Sequence, residues 1–137
     1  MKYLGLDLGN RTCGVAVSDS MGMIATSLYT IRFFEKDLDT CLNEVEKVAK
    51  EKQVDKIVMG YPLNMNGTVG DQAHYVESFK KMLEERLNIE VILYDERLTT
   101  VEVQKIMISA DVSRNKRKQK VDTLAATLIL QSYLDTL

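Results

Sequence analysis

Residues 3–18 read YLGLDLGNRTCGVAVS, and this stretch decides the fold. Over residues 3–9, leucines alternate with Gly5, Asp7 and Gly9, and this period of two predicts a β-strand. Residues 10–12 predict a tight connection, and residues 13–18 a second strand that pairs with the first as a hairpin. Residues 26–33 are rich in β-forming residues and predict a third strand. The chain is therefore expected to open with an antiparallel meander.

After this meander the apolar residues change to helical spacing. Residues 38–49 predict a helix, residues 56–59 a short strand that ends at Gly60, and residues from 71 onward a second helix closed by Asn88. Residues 89–94 predict a fifth strand, Thr99 and Glu102 form a capping box that opens a third helix, and a last helix is predicted from Gln119. Strands reached through helical crossovers indicate an α/β fold, a mixed five-stranded sheet (three antiparallel strands, then two parallel) flanked by helices.

Composition limits the classes of function that the chain can have. Its 137 residues show no repeat and no linker, which predicts a single domain over residues 1–137. No apolar run is long enough to span a membrane and the N-terminus lacks a signal-peptide pattern, so we expect a cytoplasmic protein with reduced cysteines. Two cysteines and one histidine argue against a zinc site, so that any metal ion is expected to be Mg²⁺ or Mn²⁺ held by oxygen.

Acidic residues stand at two notable places in the predicted sheet. Asp7 lies in mid-strand on the face that it shares with Gly5 and Gly9, and these glycines leave room for a ligand. Asp95 and Glu96 directly follow an apolar strand, at the carboxyl edge where open α/β sheets bind ligands. Simpler interpretations are an Asp7 that pairs with a basic neighbour or accepts turn amides, and strand-end acids that only face water. Because neighbouring side chains in a strand point to opposite faces, one of Asp95 and Glu96 can point into a cleft while the other points away.

A third acid, Asp122, lies in the last predicted helix beside Ala125 and Ala126, small residues that let a helix approach a sheet closely. The alternative is an exposed aspartate that favours a helix N-terminus. Together, Asp7, Glu96 and Asp122 predict an all-oxygen site for two divalent ions about 4 Å apart, which would activate water and stabilise the leaving oxygen in phosphodiester hydrolysis. We therefore predict these three residues as catalytic and metal-binding.

Contacts to nucleic acid are predicted from a basic segment and a loop. The net charge is only −2, but residues 114–120, interpreted as a loop just before Asp122, carry five cations that can hold phosphates: Arg114, Lys116, Arg117, Lys118 and Lys120. In the loop that follows Gly60, Tyr61 is predicted to stack on a base and Asn64 to reach a phosphate. Arg11 and Arg97, which lie close to the acids in sequence, are predicted to contact the substrate as well. The alternatives are a solvated charge run and a plain Pro/Gly surface loop.

Four segments resemble motifs of one known family, in the same order along the chain: residues 5–19, 60–67, 95–100 and 120–126. They are similar to those of the YqgF family, also called RuvX-like Holliday junction resolvases. The resemblance implies a ribonuclease H-like fold and a cytoplasmic bacterial nuclease that matures the 5′ end of the small-subunit ribosomal RNA precursor. It also implies that Asp7, Glu96 and Asp122 are the acidic residues of the site.

Three other functions remain open from the sequence. One is a Holliday junction resolvase that acts on branched DNA rather than on structured RNA, and another is a catalytically silent nucleic-acid-binding module. The third is a phosphate-binding kinase or ATPase, because Asp7-x-Gly9 in a hairpin resembles the first phosphate motif of the actin and sugar-kinase superfamily. That superfamily uses two such domains, and this chain supplies one. The sequence leaves both a monomer and a homodimer open.

Overall fold

Five strands form one mixed sheet in the order β3-β2-β1-β4-β5. The computed structural model describes the backbone of residues 1–97 and 114–137, and the side chains of residues 1–97 and 123–137. The strands are β1 (Tyr3–Leu8), β2 (Thr12–Ser18), β3 (Ala25–Arg32), β4 (Lys56–Tyr61) and β5 (Val91–Asp95). β2 pairs antiparallel with β1 and with β3, whereas β4 pairs parallel with β1 and with β5. The predicted mixed sheet is confirmed, and β1, β3, β4 and β5 all end at the same edge.

Three helices are described: α1 (Leu38–Lys52), α2 (Asp71–Leu87) and α3 (Arg114–Leu134). α1 begins after Asp37, whose carboxylate accepts a hydrogen bond from the backbone N–H of Thr40. Gln53 and Asn88 end α1 and α2 in the left-handed conformation, with φ of 55° and 54°. Asn88 was predicted in this role. The helix predicted to open at Thr99 lies outside the described residues.

The two faces of the sheet have different cores. Leucines at alternate positions of β1, Leu4, Leu6 and Leu8, lie on the face covered by α1 and α2, together with Phe79 and other large apolar side chains. The opposite face carries smaller residues and is covered by α3. Its buried side chains are Tyr3, Ala16, Val58, Ala126, Ile129, Leu130 and Leu134. Asp7 follows Tyr3 and Gly5 in the alternation of β1 and therefore belongs to the α3 face.

The basic segment belongs to a helix. α3 includes residues 114–118, so the prediction of a loop that gives way to a helix only at Gln119 was wrong. Lysine, arginine and glutamine have high helix propensity, and no glycine or proline occurs between residues 114 and 134. A dense run of charge is compatible with a solvated helix, and the run was mistaken for a loop on its charge alone. No helix in the described part of the chain is long and apolar enough to cross a bilayer.

Polar contacts fix α3 lengthwise against β3. The hydroxyl oxygens of Thr30 and Thr123 are 2.9 Å apart, and those of Ser27 and Thr127 are 2.7 Å apart. Because the residue numbers fall along α3 as they rise along β3, the helix runs antiparallel to that strand.

α3 also lies close to β1. A Cβ atom built on Gly5 would lie 2.7 Å from Leu130 Cβ and 3.1 Å from the carbonyl oxygen of Ala126. The close approach predicted from the Ala125–Ala126 pair is therefore confirmed. The expectation that Gly5 leaves room for a ligand was wrong, because α3 fills that room.

Candidate active site

The structure brings the carboxyl groups of Asp7 and Glu96 together. Leu6 of β1 is level with Met59 of β4, which places Asp7 beside Gly60. Glu96 follows β5, the strand on the other side of β4, and its side chain reaches across Gly60 to make a hydrogen bond with Asp7. Two acids that are far apart in the sequence therefore meet at the carboxyl edge of the sheet, on the α3 face.

Gly60 supplies the space that this contact needs. A Cβ atom at this position would overlap Oε2 of Glu96 and would lie 2.7 Å from Cδ1 of Ile129. Any side chain here would displace the Glu96 carboxylate. From the sequence, Gly60 was predicted only as the end of a strand. A glycine inside a strand marks a close approach by another group, and that signal was available.

The environment of Glu96 disfavours its charge. Burial raises the pKa of the Glu96 carboxyl above its ordinary value, the negative charge of Asp95 raises it further, and the hydrogen bond with Asp7 opposes this rise in pKa. Two carboxylates so close together repel each other, which adds to the cost of charge on both. A divalent cation at this place would offset that repulsion.

Asp95 points away from this pair and is neutralised by Arg97. Nη2 of Arg97 lies 2.7 Å from Oδ2 of Asp95, and Nε donates to the same oxygen at 2.9 Å. These hydrogen bonds lower the pKa of Asp95. Arg97 also donates through Nη1 to the carbonyl oxygen of Met65 at 3.4 Å, so it joins the end of β5 to the loop that follows β4. Arg97 was predicted to contact nucleic acid, and the structure gives it these protein partners.

The backbone of Asp122 lies at the level of Asp7. Asp7 pairs with Gly14 on β2, Gly14 pairs with Thr30 on β3, and Thr30 contacts Thr123 of α3. Asp122 therefore occupies the helical position next to this row of the sheet. Its side chain lies outside the described residues, as do those of the five basic residues at positions 114–120.

Tyr61 and Asn64 make contacts within the protein. The ring of Tyr61 packs against the core on the α1/α2 face, and its hydroxyl donates to Oε2 of Glu77 at 2.9 Å. The Asn64 side-chain amide donates to Oγ1 of Thr68 at 2.9 Å and closes its own loop. These contacts account for both residues as supports of the loop. Their predicted contacts to a base and a phosphate stay predictions.

Arg11 lies at the same edge as the two acids and is largely exposed. Its side chain is 73% accessible, and Nη2 is 3.5 Å from Oε2 of Glu35. The turn that carries Arg11 is held by α2 as well, since the Tyr75 hydroxyl donates to the carbonyl oxygen of Gly9 at 3.1 Å.

Both cysteines, Cys13 and Cys41, are buried and free.

The donor atoms suit a hard cation. Within residues 1–97 and 123–137 no group of three potential ligands occurs, and the third predicted ligand, Asp122, falls between these ranges. The two carboxyl groups that do meet offer only oxygen, the donor that Mg²⁺ and Mn²⁺ prefer. The two carboxylates repel each other and Glu96 is buried, so a bound cation would lower the electrostatic energy of the site.

The sheet order and the helix across the Asp7 face define an α/β protein of the ribonuclease H-like fold. RuvC from Thermus thermophilus, solved with a Holliday junction substrate, superimposes with a TM-score of 0.63 at 12% identity, covering 99% of this chain and 97% of that one. The Holliday junction resolvase of fowlpox virus, in complex with junction DNA, gives a TM-score of 0.56 at 15% identity, with coverage of 99% and 98%. At such identities the likeness concerns the fold.

Sequence comparison gives the family. The family model described as "RuvX: Holliday junction resolvase" matches residues 1–136, and the chain belongs to this family, as the motifs predicted. A protein of Bacillus subtilis (strain 168) named "Putative pre-16S rRNA nuclease" is 50% identical over 137 residues, covering 100% of this chain and 99% of the relative. A protein of the same name from Clostridium botulinum (strain Hall) is 50% identical over 137 residues, with coverage of 100% and 98%.

Proposed function

We propose that the protein is a metal-dependent nuclease that hydrolyses phosphodiester bonds and matures the 5′ end of the small-subunit ribosomal RNA precursor in the cytoplasm. The observation that carries the nuclease proposal is the contact between the carboxyl groups of Asp7 and Glu96 at the carboxyl edge of the sheet. The choice of substrate is supported by the names of full-length relatives at 50% identity. The fold is shared with resolvases, and fold alone does not determine substrate.

In this proposal Asp7, Glu96 and Asp122 hold two Mg²⁺ or Mn²⁺ ions. The chemistry that such ions supply when bound is activation of a water molecule and stabilisation of the leaving oxygen of a phosphodiester. The protein contributes the positions of the ligands. Gly60 leaves the space through which Glu96 reaches Asp7, and the position of Asp122 on α3 is held by the contact between Thr30 and Thr123.

Arg97 contributes in a different way. Its guanidinium neutralises Asp95, the acid next to Glu96, and its backbone N–H donates to Oδ1 of Asp95 at 3.1 Å, which fixes the backbone at the end of β5. Because the carboxylate of Asp95 is engaged there, Glu96 is the acid of the pair that faces Asp7. We therefore assign Arg97 as a positioning residue for Glu96, in addition to its predicted contact with substrate.

The basic residues Arg114, Lys116, Arg117, Lys118 and Lys120 are proposed to hold substrate phosphates from the first turns of α3. Replacing Lys116, Arg117 and Lys118 with glutamine together should weaken RNA binding. The slope of log K against log salt concentration should become less steep by up to about 0.9 for each duplex phosphate that the protein no longer binds, or about 0.7 for each single-strand phosphate. An unchanged salt slope would exclude these residues from phosphate binding.

Cleavage assays test the activity directly. Wild-type protein is incubated with a structured RNA that spans the 5′ end of the mature small-subunit RNA, and separately with a four-way DNA junction, with and without Mg²⁺ or Mn²⁺. Metal-dependent cleavage of the RNA is expected, and Asp7→Asn, Glu96→Gln and Asp122→Asn should each nearly abolish it. Preferential cleavage of the junction would instead support the resolvase alternative.

Asp55→Asn serves as the matched control. Asp55 is an aspartate at the opposite edge of the sheet, where its carboxylate accepts a hydrogen bond from the backbone N–H of Lys2 at 2.8 Å. This variant loses one negative charge far from the proposed site and should cleave like wild type. Full activity in Asp7→Asn, or a loss in Asp55→Asn as large as in Asp7→Asn, would contradict the assignment of the site.

A further inference from the structure

Phe34 is a large aromatic side chain that projects into solvent after β3, at the same edge of the sheet as the proposed active site. It is 87% exposed, the highest value among the exposed large hydrophobic side chains in the described part of the chain. A single exposed apolar residue is ordinary on a protein surface, so its exposure alone indicates nothing. The surroundings of Phe34 decide how it should be interpreted.

Hydrogen bonds hold residues 33–37, here called the Phe34 turn, against the turn that follows β1. The N–H of Phe33 donates to the carbonyl oxygen of Arg11 at 3.0 Å, and the N–H of Lys36 donates to that of Asn10 at 2.7 Å. Lys36 has a φ of 57°, a conformation that non-glycine residues rarely adopt. Since Asn10 comes three residues after Asp7, the Phe34 turn is held at the same edge of the sheet as the carboxylates.

Two arginines lie at the same edge as the Phe34 turn and the carboxylates. Thr30 contacts α3, so Arg32, two residues further along β3, lies on the same face of the sheet as Asp7. Two strand spacings and two residues place the backbone of Arg32 roughly 12 Å from that of Asp7. Arg32 and Arg11 are both exposed. An exposed guanidinium at this distance can hold a phosphate near the cleavage site.

Two acids, Glu35 and Asp37, also lie in the Phe34 turn, and both are engaged by neighbouring residues. Glu35 is 3.5 Å from Arg11, but both side chains are more than half exposed, and such a pair is weak enough for a phosphate to replace it. The carboxylate of Asp37 is engaged by Thr40 at the start of α1. Lys36 is turned toward the ring of Tyr75, 6.0 Å from its centroid.

We propose that Phe34 stacks on an unpaired base of the substrate, while Arg32 and Arg11 hold the phosphates between that base and the Asp7–Glu96 pair. This inference rests on the proposed function and defines which form of nucleic acid the site accepts. An aromatic ring can stack only on a base whose face is free, which a continuous duplex does not offer. The substrate therefore has at least one single-stranded nucleotide close to the cleaved bond.

A fluorescence titration tests the stacking. The chain contains no tryptophan, so Phe34→Trp introduces a unique fluorophore at the proposed contact. In an Asp7→Asn background, which prevents cleavage, a single-stranded RNA oligonucleotide should quench this fluorescence, whereas a blunt duplex of the same sequence should leave it unchanged. Binding is followed independently by the anisotropy of labelled RNA. Binding without any quenching by the single strand, or no binding of single-stranded RNA at all, would overturn the inference.

Affinity measurements provide the second test. Phe34→Ala should weaken the binding of the single strand by about 10- to 100-fold, and Phe34→Tyr should retain most of the affinity. Met21→Ala is the control, because Met21 is 74% exposed and lies in the turn after β2, at the opposite edge of the sheet. Equal affinities of Phe34→Ala and Met21→Ala would refute the contact. These measurements need no cleavage, so an inactive wild type would contradict the proposed function without deciding this inference.

Discussion

Gly60→Ala tests the geometry of the site through a change of one methyl group. Gly60 does not have a positive φ, so its backbone accepts alanine. At a position with free space, this substitution would stabilise the protein by about 0.4–1 kcal/mol, since it restricts the unfolded chain. Here the new Cβ would overlap Oε2 of Glu96 and lie 2.7 Å from Cδ1 of Ile129. Overpacking of this kind costs about 1–3 kcal/mol, so the sign of the effect distinguishes the two cases.

The assay is thermal unfolding of the metal-free protein, repeated with saturating Mg²⁺. For a chain of this length, a destabilisation of Gly60→Ala by about 1–3 kcal/mol corresponds to a fall in Tm of about 3–10 °C. Mg²⁺ should raise the Tm of wild type, because a ligand at 100 times its Kd stabilises by about 2.7 kcal/mol. In Gly60→Ala the displaced Glu96 should remove most of that gain. Gly9→Ala is the control at the same edge, where the nearest atoms to a new Cβ are 3.3 and 3.4 Å away in Thr12.

A double variant separates the two contacts of the new methyl group. Glu96→Ala removes the carboxylate that the Cβ would meet and leaves the flexible end of Ile129 as the other near contact. The destabilisation by Gly60→Ala should therefore be smaller in the Glu96→Ala background by about 1 kcal/mol or more, a coupling expected only of residues in contact. A Gly60→Ala protein as stable as wild type, with the full Mg²⁺ effect, would show that Glu96 does not lie over Gly60.

Three further predictions concern residues around the site. Burial raises the pKa of Tyr75 to about 12 from 10.0, so the protonated phenol favours the folded state. This contribution to stability is complete below pH 10 and is lost as the pH rises through about 12. In urea unfolding, Tyr75→Phe should reduce that alkaline loss of stability by about 1 kcal/mol, after allowance for the partial exposure of the ring. Gln53→Gly should stabilise by about 0.5–1 kcal/mol in urea unfolding, because Gln53 has a φ of 55°, and a loss of stability would show that its side chain matters more. Arg97→Lys keeps the charge but loses the two-point contact with Asp95, so kcat should fall by about 3- to 10-fold with little change in KM. A salt-dependent rise in KM alone would mean that Arg97 acts mainly on the substrate.

Local patterns in the sequence were sufficient for most of the fold. The alternation around Asp7 predicted β1, and helical spacing predicted α1 and α2, because each pattern reflects a single element with one buried face. The segment that begins at Arg114 was predicted as a loop from its charge density, and this was wrong. The helix propensity of its lysine, arginine and glutamine residues is also a local signal, and it favours the helix that the structure shows.

The site could be predicted only as a convergence of acids. Asp7 and Glu96 lie at one edge because β1 and β5 run in the same direction, and the motifs in the sequence already indicate that direction. Their contact depends on the register of β1, β4 and β5, which places Gly60 between them. Such pairings between distant strands leave no local trace in the sequence. Tyr61 differs, because its position after Gly60 suggested an exposed loop, whereas alternation along β4, which is a local signal, turns its ring toward the α1/α2 core.

The difference between the two faces of the sheet explains how one helix can serve both the core and the proposed site. On the α1/α2 face, leucines and Phe79 fill the space and keep the helices away from the strands. On the α3 face, Gly5 lets the helix come so near that a methyl group would meet Leu130. Close packing fixes the position of α3 along the sheet, since sliding the helix would bring Leu130 into collision with β1. In the proposed site, the same tight contact sets the position of the helix that carries Asp122, so packing in a core without charge determines where that ligand lies along the sheet.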